Sequence, residues 1–244
     1  MADNPSDQVR EAVHAMWAGV APQWGAHADH VEARAAVLTE RLLDAVHVSP
    51  GDQVLELACG PGSAGLAAAE RVGPDGEVVL SDVAEEMATI AGNRAVARGL
   101  ANVQTATLDL EAIDQPDAAF DAVLCREGLM FALEPDRAVG EVFRVLRGGG
   151  RAALLVWASP AENPWLSALL DGASAELGMP VPPPGVPGPF SLADADLGAL
   201  LTAAGFVDVG VETVAVPHRT DSFAEYWSLT SDLAGPLAAL LAGL

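Results

Sequence analysis

A glycine-rich loop between an apolar strand and a helix constrains the fold of this chain more than any other feature. Residues 54–58 read Val-Leu-Glu-Leu-Ala, and Gly60, Gly62 and Gly65 follow with the spacing G-x-G-x-x-G before a helical pattern. Glycines let the backbone turn tightly and approach a ligand, and the start of a helix offers free N–H groups. The spacing predicts the cofactor-binding turn of a parallel α/β sheet, but several cofactor classes use such a turn.

The rest of the chain alternates between short apolar strands and helical patterns. Strands are predicted over residues 54–58, 77–80, 103–108, 120–125, 151–157 and 206–216. Strands separated by helices imply βαβ units with right-handed crossovers. We therefore expect an α/β fold with a Rossmann-like, doubly wound, mostly parallel sheet of six or seven strands. Two helices, separated by a break at Pro22 to Gly25, should precede the sheet as a lid, and an insert should follow strand five.

The charge balance excludes several classes of function. The 244 residues include 34 acidic and 12 basic ones, a formal net charge of −22, and every basic residue is an arginine. Without lysine, neither a lysine Schiff base nor a Walker-type phosphate loop can be built. The arginines are scattered, so the negative charge disfavours nucleic acid or an anionic membrane surface as a partner. Neither Cys59 nor Cys125 has metal-ligand spacing around it, and we expect no metal site.

Two acidic residues beside the loop bear on the choice of cofactor. Glu56 places a carboxylate on a buried strand, which is costly without a partner. A ligand ammonium, the amides of the glycine loop or an arginine could serve, whereas a pyrophosphate would repel it. Asp82 ends the second strand about 20 residues after Gly60, where an acidic residue binds ribose hydroxyls, although it could also cap the next helix. Together, Glu56 and Asp82 favour a cofactor that contains a nucleoside and carries a positive charge.

Five segments, in order, resemble the motifs of one family. They are residues 54–62, 80–87, 107–111, 120–131 and 145–151. Their order resembles the class I S-adenosylmethionine-dependent methyltransferases, in particular the small-molecule branch similar to ubiquinone/menaquinone-biosynthesis methyltransferases. The resemblance implies S-adenosyl-L-methionine as the cofactor. It also implies methyl transfer to an oxygen, nitrogen or carbon atom of a small apolar or aromatic metabolite.

The resemblance further implies a set of cofactor-binding residues. Asp82 would bind the ribose, Met87 would pack near the adenine, and Asp109 would lie near the adenine amino group with Leu110 beside the ring. The full implied set is Glu56, Ala58, Gly60, Gly62, Asp82, Val83, Met87, Asp109, Leu110, Cys125 and Arg126.

The sequence carries no clear catalytic signature, which the expected chemistry explains. A methyl group on a sulfonium is already activated, so the protein supplies mainly proximity and alignment. A general base is needed only where solvent does not take the acceptor's proton. Candidates are Glu127, His14 and His218, although a capping or surface role for either histidine and a pairing of Glu127 with Arg126 stay open. The acceptor pocket is expected over strands four and five, walled by Trp17, Trp24, Met130, Phe131, Trp157, Asn163 and Trp165.

These assignments divide the chain into four parts. They are an N-terminal helical lid (1–46), a cofactor-binding core (47–158), a substrate-side insert (159–190) and the C-terminal part of the core (191–244). The family usually adds a seventh, antiparallel strand, for which no candidate follows Val216. Either that strand is absent or the chain is truncated in mid-helix, and an uncovered sheet edge would favour pairing.

The remaining expectations concern location, partners and rival functions. The start of the chain lacks the basic residues of a signal peptide, and no apolar run approaches the ~20 residues of a membrane span. We expect a cytoplasmic monomer or homodimer that acts on a small molecule. An NAD-dependent oxidoreductase and a non-catalytic S-adenosylmethionine-binding interaction subunit remain alternatives.

Overall fold

A parallel five-stranded sheet forms the centre of the molecule. The computed structural model describes residues 5–235 and 237–238, in which the strand order is β3-β2-β1-β4-β5 and every ladder is parallel. The strands are β1 (Gln53–Leu57), β2 (Glu77–Asp82), β3 (Val103–Thr107), β4 (Phe120–Arg126) and β5 (Leu146–Leu155). The helices are α1 (Pro5–Ala26), α2 (Ala28–Ala45), α3 (Ser63–Val72), α4 (Glu85–Ala97), α5 (Pro135–Val145), α6 (Pro164–Leu177), α7 (Leu197–Ala203) and α8 (Phe223–Leu233). This is the parallel α/β arrangement that the alternating pattern predicted.

Helices cover both faces of the sheet, and alternate residues of each strand pack against them. On β1, Val54 lies in a core cluster with residues of α2, α3 and α4, whereas Leu55 and Leu57 lie in a second cluster with residues of α5 and α7. All three side chains are almost completely buried. Because both faces are covered, the central strands are apolar on both sides.

The predicted sixth strand is absent, so the expectation of six or seven strands is wrong for the described residues. The segment 206–216 forms no ladder, and its valines Val207 and Val211 are 82% and 62% exposed. Alternating valines indicate a local preference for extended backbone, but a strand also needs a neighbour to share its hydrogen bonds. Residues 236 and 239–244, on which the expectation of a mid-helix truncation partly rests, lie outside the described residues.

The two predicted helices are present, but the first continues through residues 22–25, where the break was predicted. Pro22 lies inside α1, which ends at Ala26, and α2 begins after His27. A proline inside a helix removes one backbone hydrogen bond. Val20 and Ala21, just before it, are buried in a cluster with Met87 of α4, so the helix is packed against the core at this point.

Candidate functional site

The strand order creates a crevice between β1 and β4. The chain runs from β1 outward to β2 and β3, and β4 then returns to the other side of β1. In open α/β sheets, ligands bind at the carboxyl ends of the strands where the order reverses in this way. A cleft of about 850 Å³, its solvent-filled mouth included, lies there between the ends of β1, β2 and β4, residues 108–111 and α1. We call it the first cleft.

Strained backbone marks the ends of the two central strands. Ala58 follows β1 with φ of 50°, and Glu127 follows β4 with φ of 61°, both in the left-handed region that side chains disfavour. Gly128 has no room for a side chain, since a Cβ there would lie 2.4 Å from the Cβ of Ala58. All three residues line the first cleft. Such strain concentrates at binding and catalytic sites.

The glycine loop brings backbone close to the cleft and to helix α3. Gly60 and Gly62 have φ of 52° and 86°, and a Cβ on Gly62 would lie 2.9 Å from the Cβ of Ala91. Gly60 lines the first cleft, whereas Gly62 precedes α3 and supports the loop from behind. The loop therefore needs glycine for its conformation at both positions.

Asp82 fixes the loop to the end of β2. One of its carboxylate oxygens accepts a hydrogen bond from the Gly60 N–H at 2.9 Å, and the other accepts from the Ala84 N–H at 3.0 Å. Burial raises the pKa of Asp82 to about 6, against the opposing effect of these backbone donors. The carboxylate lines the cleft, so it is placed to accept hydrogen bonds from a ligand while it holds Gly60.

Glu56 lies beneath the loop instead of in the cleft. Its side chain is buried, and Oε2 accepts a hydrogen bond from the Gly65 N–H at 2.7 Å. Among the partners left open by the sequence, an amide of the glycine loop is therefore the one in contact. Burial raises the pKa of Glu56 to about 7, and the positive charge of Arg126 acts in the opposite direction.

The pKa of Glu56 predicts how stability depends on pH. Because the pKa in the folded protein lies above the ordinary 4.5, the folded state holds an extra proton between about pH 4.5 and 7. Stability from this group is therefore fully present below that window and falls as the pH rises through it. We expect Glu56→Gln, relative to wild type, to gain about 3 kcal/mol of unfolding free energy between pH 5 and pH 8. Urea denaturation across this range measures the difference; a pH-independent difference contradicts the prediction.

One face of helix α1 covers the first cleft. Arg10, Val13, His14, Trp17 and Trp24 line it, at spacings of three, four and seven residues that place side chains on one side of a helix. This face carries both charge and aromatic surface to the site.

Arg10 joins α1 to the turn after β3. Its guanidinium donates to Asp109 at 2.9 Å and to the buried Glu111 at 2.7 Å. Glu111 also accepts from the Leu133 N–H at 2.6 Å. His14 lies one turn along α1, with its Nε2 3.8 Å from Asp109, and burial lowers its pKa. The carboxylates at this end of the cleft are therefore already paired within the chain.

A second cavity, of about 760 Å³ with its open mouth, adjoins the first. Side chains of α1, α2, α6, α8 and the loops after β4 and β5 form its walls, which are largely apolar and include five Trp and Phe rings. Its lining includes Trp17, Trp24, His30, Arg34, Glu127, Met130, Phe131, Trp157, Trp165, His218 and Thr230. Arg34 lies 5.9 Å from the Trp157 ring centroid and 3.8 Å from Glu127.

The two spaces share one wall. Trp17, Trp24, Glu127 and Phe131 line both of them. The Trp17 ring meets Phe131 edge to face at 4.9 Å and Trp24 at 6.0 Å. Because the same four residues line both, the two spaces lie next to each other.

Residues 54–150 match a family model described as a methyltransferase domain. The ubiquinone/menaquinone biosynthesis C-methyltransferase UbiE of Ectopseudomonas mendocina is 33% identical over 171 residues, which are 69% of this chain and 66% of that protein. The protein of that name from Xanthomonas campestris is 37% identical over 125 residues, 51% of this chain and 49% of that protein. The chain contains a class I S-adenosylmethionine-dependent methyltransferase domain.

The match spans about half to two thirds of the length of these curated relatives. A solved complex between the Haloferax volcanii Trm112 methyltransferase activator and its candidate methyltransferase supports the fold alone. That match has a TM-score of 0.55 and 18% identity, and covers 86% of this chain and 88% of the other. The cofactor of the methyltransferase domain is S-adenosylmethionine, which decides between the cofactor classes that the glycine spacing left open.

The methyltransferase domain places most of the predicted cofactor residues together. Eight of the eleven line the first cleft: Ala58, Gly60, Asp82, Val83, Met87, Asp109, Leu110 and Arg126. Glu56 and Gly62 support the loop, and Cys125 packs in the core, where burial raises its pKa to about 12. Sequence reasoning missed Arg10, Val13 and Glu111. The helical spacing of Arg10 and Val13 relative to Trp17 places these three side chains on one face of α1, and this signal could have identified Arg10 and Val13.

The predicted acceptor residues also gather, with one exception. Six of seven line the second cavity, whereas the side-chain amide of Asn163 donates to the carbonyls of Ala158 and Ser159 beside α6. Of the proposed catalytic groups, His14 lines the first cleft, His218 the second cavity and Glu127 both. The ion-pair partner of Glu127 is Arg34, while Arg126 donates to Thr39.

Proposed function

We propose that this chain transfers a methyl group from S-adenosylmethionine in the first cleft to a small molecule in the second cavity. The observation that carries the proposal is the wall shared by the two spaces, formed by Trp17, Trp24, Glu127 and Phe131. In-line displacement requires the donor and acceptor to meet at close range in a fixed direction. Two adjoining spaces that share lining residues would bring the donor and the acceptor close to each other.

The residues of the first cleft fit the cofactor. The Asp82 carboxylate, held at the end of β2, would accept hydrogen bonds from the ribose, and Met87 and Leu110 offer apolar surface for the adenine. Asp109 would lie near the adenine amino group, although Arg10 already binds one of its oxygens. When bound, the cofactor supplies a methyl group on a sulfonium. The chain's own part is to orient both reactants and to exclude water from between them.

His218 is the group best placed to accept a proton from an acceptor. Both of its ring nitrogens are buried without a hydrogen-bond partner, and the residue lines the second cavity. Burial lowers its pKa, and the positive charge of Arg34 acts in the same direction, so the ring is neutral near pH 7. Glu127 faces Arg34, and His14 lies at the far end near Asp109. We therefore assign proton acceptance to His218.

The aromatic walls favour an acceptor with an apolar or aromatic body. Among the residues that the structure describes, no helix is both long and apolar enough to cross a membrane. The cytoplasmic location, the monomer or homodimer, the lack of a nucleic-acid partner and the four-part division of the chain stay predictions.

Methyl transfer can be tested by product formation. The protein is incubated with S-adenosylmethionine and a panel of phenols, amines and apolar aromatics, and S-adenosylhomocysteine is measured by mass spectrometry. For an acceptor methylated on a hydroxyl, we expect His218→Asn to lower kcat about 100-fold. His47→Asn, at an exposed turn outside both cavities, is the matched control and should match wild type. Cofactor binding without turnover on any acceptor would favour the non-catalytic alternative.

A further inference from the structure

Unsatisfied polar atoms concentrate around the second cavity. Among the described residues, five buried side-chain polar atoms have no hydrogen-bond partner, and four of them belong to residues that line this cavity. They are Trp24 Nε1, both ring nitrogens of His218 and Thr230 Oγ1. Buried polar groups are nearly always hydrogen-bonded, so an unpaired one needs an explanation. Trp24 lines both spaces, whereas His218 and Thr230 line only the second cavity, and their three unpaired atoms point to hydrogen bonds that a ligand there completes.

Thr230 is the clearest case of an unpaired polar group in this cavity. Its side chain is buried on α8, with 3% of the residue exposed, and its hydroxyl has no partner. A threonine inside a helix commonly donates to the carbonyl four residues earlier, as Thr202 on α7 does to Gly198 at 2.7 Å. Thr230 makes no such bond to Tyr226. Its hydroxyl therefore lacks a partner in a residue that lines the second cavity, where a ligand could provide one.

The unpaired atoms come from three separate segments of the chain. Trp24 lies on α1, His218 on the loop between α7 and α8, and Thr230 on α8. His218 is held by stacking on Trp165, with ring centroids 4.4 Å apart and planes 18° from parallel. The Trp24 N–H can only donate, whereas a threonine hydroxyl and a neutral imidazole can donate and accept. A hydroxyl group on the ligand could satisfy any of them.

The charged groups of the cavity leave no excess of one sign for an ionic ligand. Arg34 and Glu127 face each other at 3.8 Å, and the Arg34 guanidinium also lies near the Trp157 ring. Among the described residues, the other titratable ones in the lining are His30 and His218. An anion would meet Glu127, and a cation would meet Arg34. The cavity therefore suits an uncharged ligand.

We propose that the acceptor is a neutral molecule with an apolar body and at least one hydroxyl group, and that Thr230 determines specificity by hydrogen bonding to it. The inference rests on the proposed function, because it identifies the second cavity as the acceptor site. The proposed function requires only an apolar acceptor, and this inference adds that polar groups in the wall of the second cavity select it. His218 supplies the other hydrogen-bonding positions around the same ligand.

A matched pair of probes tests the role of Thr230. 2-Naphthol and 2-methylnaphthalene have nearly the same size and differ by a hydroxyl in place of a methyl group. Binding of each to the full chain, with S-adenosylhomocysteine present, is measured by ligand-observed NMR. We expect wild type to prefer 2-naphthol about tenfold, and Thr230→Val to remove most of that preference without changing the affinity for 2-methylnaphthalene.

Two further variants separate specificity from folding. Thr230→Ser keeps the hydroxyl and should keep the preference, and Thr202→Val, outside the cavity, should behave as wild type. Equal affinity of wild type for both probes, or an equal loss of both in Thr230→Val, overturns the proposal. The assay requires no methyl transfer, so a failure of turnover with the probe preference intact would count against the proposed function alone.

Discussion

Replacing Asp82 with Asn is expected to weaken the binding of S-adenosylmethionine about 100-fold. The carboxylate holds the Gly60 and Ala84 N–H groups and lines the first cleft at the end of β2. Hydrogen bonds to a charged group contribute roughly 1.5–3 kcal/mol each. The variant loses the charge that would bind the ribose, and it weakens the hydrogen bond that holds the glycine loop. A loss of about 3 kcal/mol of binding free energy corresponds to a 100-fold loss of affinity. Isothermal titration calorimetry measures it directly.

Asp121→Asn is the matched control for this change. Asp121 also lies on a strand and accepts a backbone hydrogen bond, from the Gln53 N–H at 2.9 Å. It lies at the amino ends of β1 and β4, away from the first cleft. This variant should bind the cofactor as wild type does. If Asp82→Asn binds within threefold of wild type, Asp82 does not hold the cofactor.

Replacing Gly65 with Ala is expected to destabilise the fold by about 3 kcal/mol. A Cβ at this position would lie 2.1 Å from Leu80 Cδ2 and 2.5 Å from Glu56 Oε2. Overpacking a core typically costs about 1–3 kcal/mol, and moving Glu56 weakens the bond that its buried carboxylate accepts from the Gly65 N–H. These costs outweigh the roughly 1 kcal/mol that alanine ordinarily gains over glycine in a helix. Urea denaturation at fixed pH gives the change.

Gly140→Ala, in α5, is the control for helix propensity. A Cβ at Gly140 would have no neighbour within 4 Å, so this variant should be as stable as wild type or more stable by up to about 1 kcal/mol. Similar changes in stability for the two variants would contradict the crowding argument at Gly65.

The sheet was predictable because its signals are local. An apolar strand followed by glycines, and an acidic residue at the end of the next strand, located the carboxyl edge on which Asp82 and Gly60 meet. Parallel order then brought Ala58 and Glu127 together, since β1 and β4 are neighbours. The position of the first cleft follows from the topology once the strands are known.

The features that the sequence did not reveal depend on distant contacts. Arg10 binds Asp109 across 99 residues of chain, and nothing near Arg10 indicates that partner. The segment 206–216 has the alternation of a strand, but pairing needs a neighbour that local pattern cannot specify. Thr230 lies in an apolar helix, where only the folded cavity shows that its hydroxyl lacks a partner.

Titration of the full chain with S-adenosylmethionine is the most direct test that the first cleft is a methyltransferase cofactor site. Calorimetry should show one site with a dissociation constant in the micromolar range and no measurable binding of NAD under the same conditions. Asp82→Asn should bind about 100-fold more weakly, whereas Asp121→Asn should bind as wild type does. Absence of heat with S-adenosylmethionine, or tighter binding of NAD, would contradict the account.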